Sequence, residues 1–195
     1  MTRRAVFMDR DGTVSAEVGY VTAVDQFRLL PRSAAAIRRL NEAGLLAIVV
    51  TNQSGLARGL FDEALMNEVH ALLRCQLEQA GARLDGLYVC PHHPSLGEPP
   101  WRQECDCRKP KPGLLTVAAG EHDVALASSY VIGDSARDME AARRAGAMPV
   151  LVLTGHGRED LRDRIEPLGA GARPAHVADD LLDAVEWILA KEGRS

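Results

Sequence analysis

The segment Val6-Phe7-Met8-Asp9-Arg10-Asp11-Gly12-Thr13 decides the fold, because it joins a short apolar run to a pair of carboxylates. The apolar residues before Asp9 predict a buried strand, and Gly12 predicts the turn that ends it. Asp9 and Asp11 are so close that they repel each other unless a cation or a proton lies between them. The segment therefore predicts a strand whose end presents both carboxylates to one metal ion and one reacting atom.

Apolar runs alternate with helical patterns along the rest of the chain. Continuous apolar runs of strand length are typical of strands buried in a parallel sheet, and apolar residues at helical spacing predict crossover helices. The predicted strands are 6–8, 45–50, 87–89, 130–132, 149–153 and 175–177, and the predicted helices are 31–43, 61–80, one from 114, 137–145 and 180–191. This order predicts an α/β fold, with an open, mostly parallel, Rossmann-like sheet and helices on both faces, in one domain spanning residues 1–195.

Polar residues follow three of the predicted strands at the point where each strand ends. Asp9, Thr51 and Asp134 occupy these places, and ligands of open parallel sheets bind beyond the carboxyl ends of the strands. Lys109 adds a positive charge just before a helix, and Asp138 lies in the first turn of another, where a helix favours negative charge. Each feature alone is typical of an ordinary loop or helix start. Their order and placement together predict a site.

The same order resembles the four motifs of the haloacid dehalogenase-like (HAD) phosphohydrolases, over residues 6–153. This resemblance implies that Asp9 is the nucleophile and Asp11 the general acid and base. It also implies that Thr51 and Lys109 hold the phosphoryl group. The chain is therefore expected to be a phosphoric monoester hydrolase.

Each of these roles has a physical reason. A phosphate monoester is an anion that repels nucleophiles, so Mg²⁺ held by Asp9, Asp134 and the backbone carbonyl of Asp11 would neutralise charge while Asp9 attacks phosphorus. Thr51 and Lys109 would hold the equatorial oxygens as charge redistributes in the transition state. Asp11 would protonate the leaving alkoxide and then deprotonate the water that cleaves the aspartyl-phosphate. To act as the acid, Asp11 must carry its proton in the substrate complex.

Three of the four cysteines lie between positions 90 and 107, in a stretch without regular periodicity. Together with a histidine they form a tetrahedral ligand set of the structural zinc type, which leaves no open position for catalysis. The predicted ligands are Cys90, His92, Cys105 and Cys107. His93 is the alternative nitrogen ligand. A loop that lacks a hydrophobic core needs another source of stability, so the zinc ion is expected to stabilise the folded loop. The fourth cysteine, Cys75, is predicted to lie in the core.

Five longer segments of the sequence point to one group within the HAD phosphohydrolases. They are 9–13, 19–21, 50–59, 90–94 and 107–113. These segments look like those of the heptose bisphosphate phosphatases in the histidinol-phosphatase-like HAD group, which have a minimal cap and shape the pocket with loops, including the zinc loop. The resemblance implies removal of the 7-phosphate from D-glycero-D-manno-heptose 1,7-bisphosphate. That step belongs to the synthesis of ADP-heptose for the lipopolysaccharide core.

The resemblance also implies which residues contact this substrate. They are Glu17, Val18, Gly19, Tyr20, Thr51, Asn52, Gln53, Ser54, Arg108, Lys109 and Ser135. Arg108 suits the second phosphate because a guanidinium fork matches phosphate geometry. Ser135 departs from the family pattern, since a lysine often follows the aspartate of the fourth motif there.

Composition limits the other interpretations. The chain has 195 residues, 46% of them hydrophobic, and a net charge of −4, which gives no electrostatic support to nucleic-acid binding. Two further functions stay open: a histidinol-phosphate phosphatase, which shares the acid pair and zinc loop, and a zinc-dependent nucleic-acid-binding module. The second is disfavoured because aromatic residues make up only 4%. No apolar run approaches the roughly 20 residues of a membrane span, so we expect no membrane partner and a cytoplasmic location. We also expect a monomer without nucleic-acid partners.

Overall fold

A single parallel sheet carries the fold. The structure, a computed structural model, describes residues 2–165 and 173–194. The strands are β1 (Ala5–Met8), β2 (Leu46–Asn52), β3 (Gly86–Cys90), β4 (Tyr130–Gly133), β5 (Met148–Val152) and β6 (His176–Ala178). They are ordered β3-β2-β1-β4-β5-β6, and every neighbouring pair is parallel. The predicted open α/β sheet is confirmed, with β1 between β2 and β4.

Helices connect the strands and cover both faces of the sheet. They are α1 (Ser33–Glu42), α2 (Glu63–Gln79), α3 (Gly113–His122), α4 (Ala136–Ala145), α5 (Gly157–Asp160) and α6 (Leu181–Lys191). Side chains of β1 alternate between the faces, because successive residues of a strand point in opposite directions. Val6 and Met8 pack in a core with α1, α2 and α6, whereas Ala5 and Phe7 pack in a second core with α3 and α4.

The connections at the carboxyl edge of the sheet remain loops. Residues 9–32 carry one short 3₁₀ turn, Val24–Gln26, and residues 91–112 carry neither helix nor strand. Within the described residues these loops carry no further helix or strand, and the minimal cap stays a prediction. No helix in the described part of the chain has the length and apolar character needed to cross a membrane.

Two sequence predictions on the helices need correction. Cys75 is exposed, so its assignment to the core is wrong. The buried apolar residues Val69, Leu73 and Leu77 repeat every four residues and define the core side of α2, whereas a residue two positions after Leu73 lies roughly 200° away around the helix. The sequence reading also missed α5 and the π-helical turn that continues it over Leu161–Ile165.

Candidate active site

A cleft of about 280 Å³ opens beyond the carboxyl ends of β1, β2 and β4. It brings together every residue that the sequence assigned to catalysis, magnesium or substrate, except Val18. Val18 is exposed beside the cleft, while its neighbours Glu17 and Gly19 line it. Four lining residues were not predicted as site residues: Arg58, Arg137, Asp138 and His156. Of these, only Asp138 carried a sequence signal, as the second acid of the Gly133-Asp134-x-x-x-Asp138 pattern.

The ammonium group of Lys109 lies at the bottom of this cleft. Its Nζ is 2.8 Å from Oδ1 of Asp9 and 2.7 Å from Oδ1 of Asp138, and it donates a hydrogen bond of 2.9 Å to the carbonyl of Val50. Burial by itself lowers the pKa of Lys109, but Asp138 and Asp9 outweigh it and raise that pKa above its ordinary value. Lys109 is therefore a fixed positive charge beside the carboxylate at the end of β1.

Asn52, the last residue of β2, fixes the backbone of Lys109. Its side-chain amide accepts a hydrogen bond from the Lys109 N–H at 3.1 Å and donates one to the Lys109 carbonyl at 3.1 Å. Both ends of the amide are thus used within the protein. Asn52 lines the cleft, yet its contacts show a residue that positions Lys109.

Three carboxylates converge next to this lysine. Asp9, Asp134 and Asp138 each place one oxygen within 4.8 Å of the others. Burial, together with the charges of Asp9 and Asp138, raises the pKa of Asp134 to about 8. Burial also raises the pKa of Asp9 to about 6, against the opposing effect of Lys109. Three carboxylates beside one ammonium leave an excess of buried negative charge, and oxygen ligands of this kind suit Mg²⁺.

Two glycines allow the backbone to approach Asp134. A Cβ at Gly12 or at Gly155 would lie 2.1 Å from Oδ2 of Asp134, and both glycines have positive φ, at +78° and +53°. The N–H of His156 donates a 2.8 Å hydrogen bond to the same oxygen. Gly12 therefore does more than end β1: its missing side chain leaves the space that the Asp134 carboxylate fills.

The carboxylate of Asp11 has a different environment from the other three. The guanidinium of Arg10 donates to both of its oxygens, from Nε at 3.0 Å and from Nη2 at 2.9 Å. Gln53 donates a third hydrogen bond to Asp11, at 2.8 Å. The same Gln53 amide also donates to the hydroxyl of Thr51, at 2.9 Å. The role of Asp11 as a magnesium ligand was predicted for its backbone carbonyl and stays a prediction.

Ser135 orients one of the three carboxylates. It is the N-cap of α4, and its hydroxyl and N–H donate to Oδ2 of Asp138 at 2.6 and 3.1 Å. Ser135 is buried, so its short side chain cannot replace a lysine that extends into the outer cleft. Ser135 lines the cleft, but its hydroxyl is hydrogen-bonded to Asp138.

The outer part of the cleft carries three arginines. Arg108 donates to the carbonyl of His92 at 3.1 Å, and Arg58 lies over the ring of Tyr20, 5.8 Å from its centroid. Arg137, in the first turn of α4, is exposed. Within residues 2–165 and 173–194, none of the three has a carboxylate at ion-pair distance. Positive charge at the mouth thus faces negative charge at the base.

A thiol cluster joins the two ends of the loop that supplies Arg108 and Lys109. The three Sγ atoms of Cys90, Cys105 and Cys107 lie 3.0 to 3.6 Å apart. Nδ1 of His92 is 3.3 Å from the Cys107 sulfur. A tetrahedral zinc ion with Zn–S bonds of about 2.3 Å separates its sulfurs by about 3.8 Å, so the cluster has nearly that size.

His93, the alternative nitrogen ligand, does not belong to this cluster. Its Nδ1 accepts from the backbone N–H groups of Ser95 and Leu96, at 3.2 and 3.1 Å. His92 is therefore the histidine that faces the thiols. The side-chain amide of Gln103 lies 2.8 Å from the other nitrogen of His92 and fixes its ring.

Comparisons with known proteins agree with this site. The HAD-hydrolase-like family model matches residues 106–184. D-glycero-beta-D-manno-heptose-1,7-bisphosphate 7-phosphatase of Bordetella bronchiseptica is 40% identical over 187 residues, which are 95% of this chain and 98% of that protein. The enzyme of the same name from Escherichia coli K12 is 43% identical over 152 residues, 77% of this chain and 80% of that protein.

A solved structure gives the same result. The crystal structure of D,D-heptose 1,7-bisphosphate phosphatase from B. bronchiseptica, complexed with magnesium and phosphate, has a TM-score of 0.85 and 39% sequence identity, and the match covers 96% of this chain and 99% of that one. Fold and site together define a HAD-type phosphatase, a hydrolase of phosphate esters. Within that class, the chain belongs to the D-glycero-D-manno-heptose-1,7-bisphosphate 7-phosphatase family.

Burial of the Asp134 carboxyl group predicts a pH-dependent stability in the metal-free protein. Its pKa is about 8 when folded and has its ordinary value of 3.8 when unfolded. Between these values the folded chain holds a proton that the unfolded chain has released, so the free energy of unfolding falls as pH rises. Asp134→Asn should remove this loss, and its stability relative to wild type should rise across that range with a limiting slope of about 1.4 kcal/mol per pH unit.

Urea unfolding of both proteins in a chelator, from pH 4 to 9, measures this difference. Asp163→Asn, which changes an exposed carboxylate, is the control and should follow wild type at neutral pH. Identical pH dependence of Asp134→Asn and wild type would contradict the predicted burial of charge.

Proposed function

We propose that this phosphatase removes the 7-phosphate from D-glycero-D-manno-heptose 1,7-bisphosphate through a covalent phosphate on Asp9. The observation that carries the proposal is the ion pair between buried Lys109 and Asp9, at 2.8 Å, at the end of the central strand. It places a carboxylate nucleophile next to a fixed cation that can hold a phosphoryl oxygen. The names of the relatives supply the substrate.

The first step transfers the phosphoryl group to the protein. An oxygen of Asp9 attacks phosphorus, the bond between phosphorus and the ester oxygen breaks, and Asp11 gives its proton to the leaving alkoxide. Lys109 and the hydroxyl of Thr51 hold the equatorial oxygens, where charge is spread in the transition state. Asp138 keeps Lys109 in place while Asp9 is engaged with phosphorus.

The second step regenerates the nucleophile. Water attacks the phosphorus of the aspartyl-phosphate and gives its proton to the Asp11 carboxylate, and the bond from phosphorus to Asp9 breaks. Inorganic phosphate leaves. Asp9 and Asp134, with the backbone carbonyl of Asp11, would hold Mg²⁺, and Asp138 lies close enough to contribute. When bound, this ion neutralises phosphoryl charge and orients the group for in-line attack.

The arginines at the cleft mouth support a substrate with two phosphates. Arg108 follows the zinc loop and Arg137 follows the buried Ser135, so both cations lie outside the carboxylate group. The family often has a lysine at position 135, and here Arg137 offers positive charge two residues further on. A second phosphate on the sugar would meet these guanidinium groups, whereas histidinol phosphate has no second phosphate to pair with them.

We also propose a structural zinc ion at Cys90, His92, Cys105 and Cys107. Burial raises the pKa of the Cys90 thiol, so a cation is needed to stabilise thiolates there. The four atoms have nearly tetrahedral spacing and no open position, which suits a structural ion. The ion would hold residues 90–107 in the conformation that delivers Arg108 and Lys109 to the cleft.

The remaining features of the proposal concern the setting of the enzyme. We propose that it works as a cytoplasmic monomer, as one domain over residues 1–195, on a small phosphorylated sugar for ADP-heptose and lipopolysaccharide synthesis. A net charge of −4 supports the absence of nucleic-acid partners. All strands of the described residues belong to one sheet, which supports a single domain.

Asp9→Asn should abolish turnover, because the side-chain amide cannot act as the nucleophile that forms the aspartyl-phosphate. The isosteric change removes a buried charge, so the thermal midpoint should stay close to that of wild type. Steady-state hydrolysis and thermal unfolding measure the two effects, with Asp163→Asn as an exposed control. Turnover within about tenfold of wild type, roughly 1.4 kcal/mol of barrier, would exclude Asp9 as the nucleophile.

Arg108→Ala should lower kcat/KM for the heptose 1,7-bisphosphate by about 1.5 to 3 kcal/mol, the scale of a charge-assisted hydrogen bond, while barely changing hydrolysis of a monophosphate. Arg102→Ala removes an exposed arginine that does not line the cleft, and serves as the control. A panel with the bisphosphate and histidinol phosphate gives both ratios. If wild type prefers histidinol phosphate, or the variant loses both activities equally, the heptose proposal is wrong.

Cys107→Ser should lower the zinc content from about one per chain and also lower the stability, because binding energy of such a site is folding energy. Elemental analysis and urea unfolding measure the two changes. Cys75→Ser alters an exposed thiol outside the cluster and should change neither. A zinc-free wild type with the full stability of the zinc-loaded protein would contradict the site.

A further inference from the structure

His70 is a buried histidine that the proposed mechanism does not use. It lies on α2 between the apolar residues Val69 and Leu73, with 8% of its surface exposed. Its Nε2 is 3.1 Å from Nη1 of Arg10. Because a guanidinium has only N–H donors, Nε2 is the acceptor, and the ring is neutral with its proton on Nδ1. Burial, with a further contribution from Arg10, lowers the pKa of His70 to about 4, which agrees with this geometry.

Arg10 connects this histidine to the acid pair. Its side chain is 3% exposed, and it donates in two directions: from Nη1 to His70, and from Nε and Nη2 to the two oxygens of Asp11. A guanidinium is planar and rigid, so fixing one nitrogen fixes the direction of the other two. His70 therefore sets the orientation of the fork that holds Asp11.

The contacts of Asp11 show which chemical form the fork favours. An ionised carboxylate is an acceptor-only group, and here each of its oxygens faces at least one N–H donor. Oδ1 faces Nε of Arg10, while Oδ2 faces Nη2 of Arg10 and the amide of Gln53. The hydroxyl of Ser15 lies 3.4 Å from Oδ1 but closer, at 3.2 Å, to the carbonyl of Arg10, which competes for its one proton. All three N–H groups are donors, so the contacts match the acceptor-only form of Asp11, which can take a proton from water. Acting as the acid requires Asp11 to give up at least one of these contacts.

We propose that His70 is a positioning residue for the second step, in which it holds Arg10 so that Asp11 is presented as the base. In that step the attacking water forms the new bond to phosphorus, its proton goes to Asp11, and the bond from phosphorus to Asp9 breaks. The inference rests on the proposed roles of Asp9 and Asp11. It is independent of which sugar is the natural substrate.

The test separates the two steps with p-nitrophenyl phosphate, whose leaving group departs without a proton. The first step then needs no acid, whereas the second still needs Asp11 as base. In the full chain with Mg²⁺, His70→Leu should leave the rate of the first nitrophenolate release within about twofold of wild type. Its steady-state rate should fall about tenfold, and acid-quenched enzyme should show a larger phosphorylated fraction by intact mass.

Three further variants separate positioning from stability. His70→Gln should restore most of the steady-state rate, because its amide oxygen reaches about the position of Nε2. His70→Asn is too short to reach Arg10 and should behave like His70→Leu, and it replaces that variant if leucine prevents folding. Leu73→Val weakens the core on the same helix and should lower the thermal midpoint without accumulating phosphorylated enzyme.

Equal steady-state rates and phosphorylated fractions in wild type and His70→Leu would overturn the inference. So would accumulation in Leu73→Val, or failure of His70→Gln to exceed His70→Asn. If phosphate is found on neither wild type nor the slowed His70→Leu enzyme, the covalent step fails and the inference falls with it. If phosphorylated enzyme forms but heptose bisphosphate is not hydrolysed, only the proposed substrate is wrong.

Discussion

The buried ammonium of Lys109 is the interaction on which the rest of the structure depends. A charged amine removed from water is costly unless all of its N–H groups are paired, and this one has three partners: Asp9, Asp138 and the carbonyl of Val50. Those partners come from the ends of β1 and β2 and from the first turn of α4. Three separate elements therefore meet at one nitrogen atom, and the carboxylate that we propose as the nucleophile is held by one of these contacts.

The thiol cluster helps to hold Lys109 in this position. Cys107 lies two residues before Lys109, and Cys90 ends β3, so the cluster links an outer strand to the lysine across a loop that has no core of its own. Asn52 completes the link by bonding the backbone of Lys109 from β2. The loop is thus held near both of its ends. The proposed zinc ligands and Lys109 thus share one short stretch of chain.

Much of this could be predicted from the sequence, because the informative features are local. Apolar runs gave the strands, helical spacing gave α1 to α4 and α6, and the polar residues at strand ends gave Asp9, Thr51 and Asp134. What was missed depends on contacts across the sheet. Nothing near His70 in the sequence indicates that α2 turns it towards Arg10, and α5 is too short to show a period. Arg58 and Arg137 resemble any surface arginine until the fold brings them to one cleft.

The position of β1 in the sheet has a consequence for how such enzymes can diverge. Strands β2 and β4 flank it on both sides, so Asp9, the residue that we propose is phosphorylated, follows a strand that is hydrogen-bonded along both edges. The residues that we propose meet the rest of the substrate stand on loops or at the exposed start of α4, where replacing a side chain disturbs little else. Arg137 is one such outer residue, whereas Ser135 is buried and bonded to Asp138. Natural selection can thus alter what is recognised while the reacting atoms keep their places.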